Sequence, residues 1–141
     1  MRFEVTTDID RPVDEVFAFV TDQHNAREWV TGVIDTKDVE PPGLGAKATQ
    51  IVKFLGRRLE ITNEVVEWEP NQRYTFGTKV PFPSSMHVTF IPRGNGTRIE
   101  AVLEGELGGL LKVAEPIMAV MVRRQLASDY AKLKKLLEAG G

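Results

Sequence analysis

The stretch SSMHVTFIPRGNGTRIEAVLEGEL, Ser84 to Leu107, decides the fold. Read two residues at a time, it sends Met86, Val88 and Phe90, then Ile99, Ala101, Leu103 and Gly105, to one side. His87, Thr89, Arg98, Glu100 and Glu104 fall on the other. Such alternation marks strands with one buried face, because successive side chains in a strand point to opposite sides. Arg93-Gly94-Asn95-Gly96 interrupts it with a turn signal, so the stretch predicts two antiparallel strands, Ser84–Pro92 and Thr97–Leu107, closed by a hairpin.

The same period runs back to Val33 and predicts strands at Val33–Glu40, Ala46–Leu55, Arg58–Trp68 and Gln72–Lys79. Between them stand Pro41-Pro42-Gly43-Leu44-Gly45, Gly56-Arg57, Glu69-Pro70-Asn71 and Pro81-Phe82-Pro83. Connections this short make antiparallel neighbours, not crossovers. Alternation turns Tyr74, Phe76 and Thr78 inward, and with them Ala48, Gln50, Val52, Phe54, Leu59, Ile61, Asn63 and Val65. Val66 and Trp68 then need cover on the other face. A slip of one residue on this strand would replace Asn63 by Glu64.

Upstream, Arg2–Asp10 alternates as a first strand. Asp10-Arg11-Pro12 opens a helix, with the cap at Asp10 or Arg11, Pro12 in the first turn and an apolar face of Val13, Val16, Phe17 and Val20. A second short helix runs from Thr21 or Asp22 to Trp29, Asp22 being a good cap. Downstream, Leu110–Glu138 predicts a long helix with Pro116 as a kink or a new start. The sum is one α+β domain over residues 1–141: a curved seven-stranded antiparallel sheet around a long C-terminal helix, with two short helices between strands 1 and 2. One helix cannot fill a sheet that twists and curls this much, so a cavity is expected.

Lys and Arg are scattered along a chain of formal net charge -2, which argues against nucleic acid, since phosphate binding needs a concentrated basic surface. With no cysteine there is no disulfide, thiolate metal site or cysteine nucleophile, which fits the cytoplasm. The N-terminus lacks the apolar block of a signal peptide, and no run reaches the roughly 20 apolar residues of a membrane span. The two histidines, His24 and His87, have no metal-ligand spacing, and no phosphate loop or nucleophile elbow is present. No metal and no cofactor are expected.

Several short motifs resemble the START-like, helix-grip superfamily, in its polyketide cyclase/dehydrase and lipid-transport branch related to the birch-pollen-allergen fold. They are Asp10-Arg11-Pro12-Val13-Asp14-Glu15-Val16-Phe17, Asp22 followed by Trp29, Val65-Val66-Glu67-Trp68-Glu69-Pro70, Gly96-Thr97-Arg98-Ile99 and the closing Leu133-Lys134-Lys135-Leu136-Leu137-Glu138. Their order and spacing cover essentially the whole chain. The resemblance implies a helix-grip fold and places Trp29 near the cavity mouth. It does not choose among enzymes, ligand carriers and other roles.

The candidate ligand-binding residues are therefore Trp29, Gln50, Phe54, Asn63, Tyr74, Phe76, Met86, Val88, Phe90 and Ala101, with Met118 and Met121 from the long helix. Gln50 and Asn63 are amides on an apolar face; each either bonds to backbone or water, or orients a ligand oxygen. The leading expectation is a protein that binds an apolar small molecule or lipid between sheet and helix. A cyclase or dehydratase using the same cavity needs an acid or base pointing inward, and alternation supplies none, so no catalytic residue is assigned. A third alternative is an interaction module. Ile117 to Val122 is apolar all round and must be covered by loops, a ligand or a second copy in a homodimer.

Overall fold

Strand pairing is antiparallel throughout, in the order β1-β7-β6-β5-β4-β3-β2. The computed structural model describes residues 1–54, 56–79, 83–105 and 115–140, without the side chains of residues 54 and 115. In chain order the elements are β1 (Arg2–Ile9), α1 (Val13–Thr21), a 3-10 turn (Gln23–Asn25), α2 (Ala26–Trp29), β2 (Val33–Lys37), β3 (Lys47–Phe54), β4 (Arg57–Glu69), β5 (Arg73–Thr78), β6 (Ser84–Arg93), β7 (Gly96–Gly105) and α3 (Glu115–Ala139). This is the helix-grip arrangement expected from the alternation, with residues 106, 107 and 110–114 of the predicted last strand and helix lying outside the described residues.

Local chemistry sets the boundaries. The cap of α1 is Pro12, not Asp10 or Arg11: its backbone is extended (φ -60, ψ 149) and its carbonyl accepts from Val16 N at 3.1 Å. Asp22 caps the 3-10 turn as expected, accepting from His24 N at 3.0 Å. β2 ends three residues earlier than predicted because Asp38 adopts φ 53, outside strand geometry. At the β6–β7 hairpin Gly94 supplies the left-handed turn (φ 58). Gly96 is needed for close approach, since a Cβ there would sit 2.8 Å from the Ile9 carbonyl oxygen.

A bulge corrects the predicted face at the end of β4. Pairing on β4 jumps from Val65↔Phe76 to Glu67↔Thr75, so Val66 is the extra residue, 57% exposed. Everything after it changes face. Trp68 thus returns to the concave side, its ring 5.0 Å from Phe17 and 6.0 Å from Tyr74. A second irregularity lies between Val33 and Asp35 on β2, where Ile34 is the extra residue and is exposed.

The concave face carries the core. Tyr74, Val88, Phe90, Ile99 and Ala101 of the sheet meet Val16, Phe17 and Val20 of α1 and Leu126, Tyr130, Leu133 and Leu137 of α3. The α3 residues recur at the spacing that makes one stripe of a helix. The far end of α3 is tied to the end of β1: Lys134 Nζ donates to the Asp8 carbonyl at 2.6 Å, and Asp10 N donates to Glu138 Oε2 at 2.9 Å. The opposite half is less covered. Ile117, Val120 and Met121 are exposed. Pro116 stands in the first turn of α3, where its missing N–H costs nothing.

Leu133 is fully buried, so Leu133→Ala should lower unfolding free energy by about 2–5 kcal/mol. Leu136→Ala, on the open side of the same turn, should cost under about 1 kcal/mol. Urea unfolding of both variants measures the difference, and equal losses would show that α3 does not pack as described.

Candidate functional site

A cavity of about 160 Å³ opens where the 3-10 turn and α2 face the concave sheet and α3. Its floor is Phe76, Met86 and Val88 of β5 and β6, with Gln50 from β3. Trp29 and Val30 wall one side, and Leu126, Asp129 and Tyr130 of α3 the other. The rings of Trp29 and Tyr130 meet edge to face at 5.2 Å. A neighbouring recess of about 20 Å³ shares Gln23 and Phe76 with the cavity and is lined also by Asn63 and Tyr74. That is room for one water molecule.

Seven of the twelve sequence candidates line these spaces: Trp29, Gln50, Phe76, Met86 and Val88 the cavity, and Asn63 and Tyr74 the recess beside it. Phe90, Ala101, Met118 and Met121 do not gather there. Phe90 and Ala101 point inward as alternation requires, but they are 3% and 1% exposed within solid core, Phe90 packed edge-on against Phe17 at 4.9 Å. A bulky residue at Ala101 would overpack that core without plugging the cavity. Met121 is 56% exposed and Met118 is half-buried outside the lining, because the all-apolar segment 117–122 gave no sign of which side faces in. The Phe54 side chain lies outside the described residues.

The amides have distinct surroundings. Gln50 Nε2 donates to Gln23 Oε1 at 2.9 Å, and Gln23 Nε2 donates to the Tyr74 hydroxyl at 2.7 Å. Gln23, which the sequence did not single out, is the link: it stands in the 3-10 turn held by the Asp22 cap. Asn63 is 7% exposed and Glu64 exposed, which places Asn63 on the inner face. Its side chain makes no hydrogen bond among the described residues, and the recess is where a water or ligand oxygen would meet it.

An inward carboxyl, absent from the strands, comes from the helix. Asp129 is 5% exposed and lines the cavity. Its Oδ1 accepts from Thr31 N at 3.1 Å and also from the Thr31 hydroxyl. Burial raises its pKa, against the lowering effect of the two Thr31 bonds. Burial likewise pushes the Tyr74 hydroxyl up to about 12 and raises that of Tyr130, with the Asp129 charge adding to the effect. Asp129 was legible in principle: it falls between Leu126 and Leu133 on the buried stripe.

Neither histidine lines the cavity. His24 is exposed beside Asp22. His87 sits on the convex face, 3.3 Å from the Thr75 and Ser85 hydroxyls. Among the described residues no group of three or more His, Asp and Glu could hold a metal ion, and no helix is long and apolar enough to cross a membrane.

The sequence pattern of the polyketide cyclase/dehydrase and lipid transport family matches residues 1–138. The chain belongs to this family. Its fold is START-like. The crystal structure of a protein of Thermus thermophilus is similar over 100% of this chain and 99% of its own, with TM-score 0.85 and 18% identity. One of Nitrosomonas europaea covers 100% and 96%, with TM-score 0.78 and 16% identity. A START superfamily protein of Mycobacterium smegmatis covers 98% and 94%, with TM-score 0.69 and 14% identity. At these identities the likeness is one of fold. No curated protein matches the sequence.

The Asp129 shift has a signed consequence. A carboxyl whose pKa is raised in the folded state binds its proton more tightly there than in the unfolded chain, so stability falls as pH rises through that range. The difference in unfolding free energy between Asp129→Asn and the parent should therefore move in favour of the Asn variant between about pH 3 and pH 7. A pH series of urea melts reads this directly. Movement in the opposite direction would mean that the Thr31 bonds outweigh burial.

Proposed function

We propose that this protein binds a compact apolar small molecule in the cavity between sheet and α3. The observation that carries the reading is the cavity itself: apolar walls from several elements, with polar side-chain groups, among the described residues, from Asp22, Gln23, Trp29, Gln50, Asp129 and Tyr130. Sites for small molecules have this make-up, in which apolar area supplies affinity and a few polar atoms fix orientation. Size narrows the ligand class. About 160 Å³ compares with the ~150 Å³ of an apolar cavity that accepts benzene, and lies below the ~300 Å³ at which sites for larger ligands begin. A single ring with short substituents fits this space better than an extended acyl chain.

One observation favours a second reading, an enzyme of the cyclase or dehydratase kind named by the family. Asp129 places an ionisable group on the cavity wall, the feature such chemistry requires of a general acid or base. The exposed stripe of Ile117, Val120 and Met121 is the corresponding feature for an interaction module or homodimer.

An apolar fluorescent probe should bind the protein and be displaced by single-ring aromatics more effectively than by long-chain fatty acids. Ala26 lines the cavity and is 6% exposed. Ala26→Phe should fill the space and reduce probe affinity by about tenfold or more, with a stability cost of about 1–3 kcal/mol. Probe binding unchanged in a folded Ala26→Phe variant would remove this cavity as the site.

A further inference from the structure

The charge and hydrogen-bonding balance of the cavity wall is one-sided. Among the described residues its lining contains two carboxylates, Asp22 and Asp129, and no lysine, arginine or histidine. Asp22 is met from outside the cavity by the His24 backbone at 3.0 Å and the His24 ring at 2.8 Å. The amides of Gln23 and Gln50 are tied to each other and to Tyr74. Asp129 differs. Both Thr31 donors converge on its Oδ1, and Oδ2 has no hydrogen-bond partner among the described residues. The Tyr130 hydroxyl, on the adjoining residue, has none among them either, although Tyr130 is only 2% exposed.

We propose that this cavity selects a compact ring bearing a hydrogen-bond donor, a hydroxyl or an ammonium group, over a ring bearing a carboxylate, with Asp129 and Tyr130 as the recognising groups. The inference rests on the binding reading above and adds the polarity of the ligand. Among the described residues no fully buried side-chain polar atom lacks a partner, so Asp129 Oδ2 and the Tyr130 hydroxyl keep contact with accessible space, where a ligand donor takes the place of water. A carboxylate entering the same space brings a like charge against Asp129 where water is excluded and screening is weak. Asp129 as a mere pin for the turn at Thr31 needs only Oδ1, which an asparagine also offers; the two roles therefore separate in the Asn variant.

Calorimetry with toluene, benzylamine and benzoate, in mildly alkaline buffer of low ionic strength, tests this with ligands of nearly one size. Toluene should bind the parent protein, and benzylamine should bind more tightly than benzoate by about tenfold or more. Asp129→Asn should shrink that ratio by about fivefold or more. Carbon-13 NMR of the Asp129 carboxyl in the parent gives a reading without mutation: benzylamine should shift its resonance and toluene should not. Benzoate binding as tightly as benzylamine, a ratio unchanged in a folded Asp129→Asn variant, or a carboxyl resonance indifferent to benzylamine would each overturn the proposal. Binding of toluene alone leaves the cavity reading standing and removes this one. Failure of all three ligands removes both.

Discussion

The architecture depends on a mismatch of shape: a straight helix cannot follow a sheet of seven twisted strands. α3 packs chiefly along β1 and is fastened there by Lys134 and Glu138. Anchored at that margin, it leaves the concavity over β3 to β6 to be closed by other means. The aromatic rings of Phe17, Trp68, Tyr74 and Phe90 do so at one end, where α1 seals the core. Further along, α2 and the 3-10 turn are too short to do the same, and the cavity lies beneath them.

How the sequence conveys this varies with the element. Strands β5 to β7 state their inner face outright, since large apolar side chains hold every second position at Tyr74 and Phe76, from Met86 to Phe90, and at Ile99 and Leu103 around Ala101. β4 does not. One extra residue, Val66, reverses the sense of everything after it, and a bulge of this kind has no signature in hydrophobic alternation. The long helix fails for a different reason. Where every residue is apolar, as from Ile117 to Val122, the pattern contains no direction, and Met118 and Met121 could not be placed. Where polarity returns, the stripe Leu126, Tyr130, Leu133 and Leu137 is clear, and it carries Asp129 inward with it.

Gln50 shows the limit of reading a face as a function. Alternation puts it correctly at the cavity, yet its partner is Gln23, from a turn whose position no periodicity reports. The chain from Tyr74 through Gln23 to Gln50 links three polar side chains by two hydrogen bonds and fixes the 3-10 turn against the sheet. A buried polar network of this kind rigidifies only when each member is satisfied. It makes this polar edge of the cavity a constructed surface, facing Asp129 and Tyr130 on the α3 wall.

The bulge at Ile34 reaches beyond the cavity. An open sheet has two margins, and each is a template on which another chain could add a strand. Here β2, one of those margins, is five residues long, broken in register, and carries Asp35 and Lys37 on ion pairs with Arg27 and Glu60. At the other margin Lys134 occupies the Asp8 carbonyl. The β2 margin thus carries features that discourage strand addition, and at the β1 margin one edge carbonyl is occupied from within the molecule.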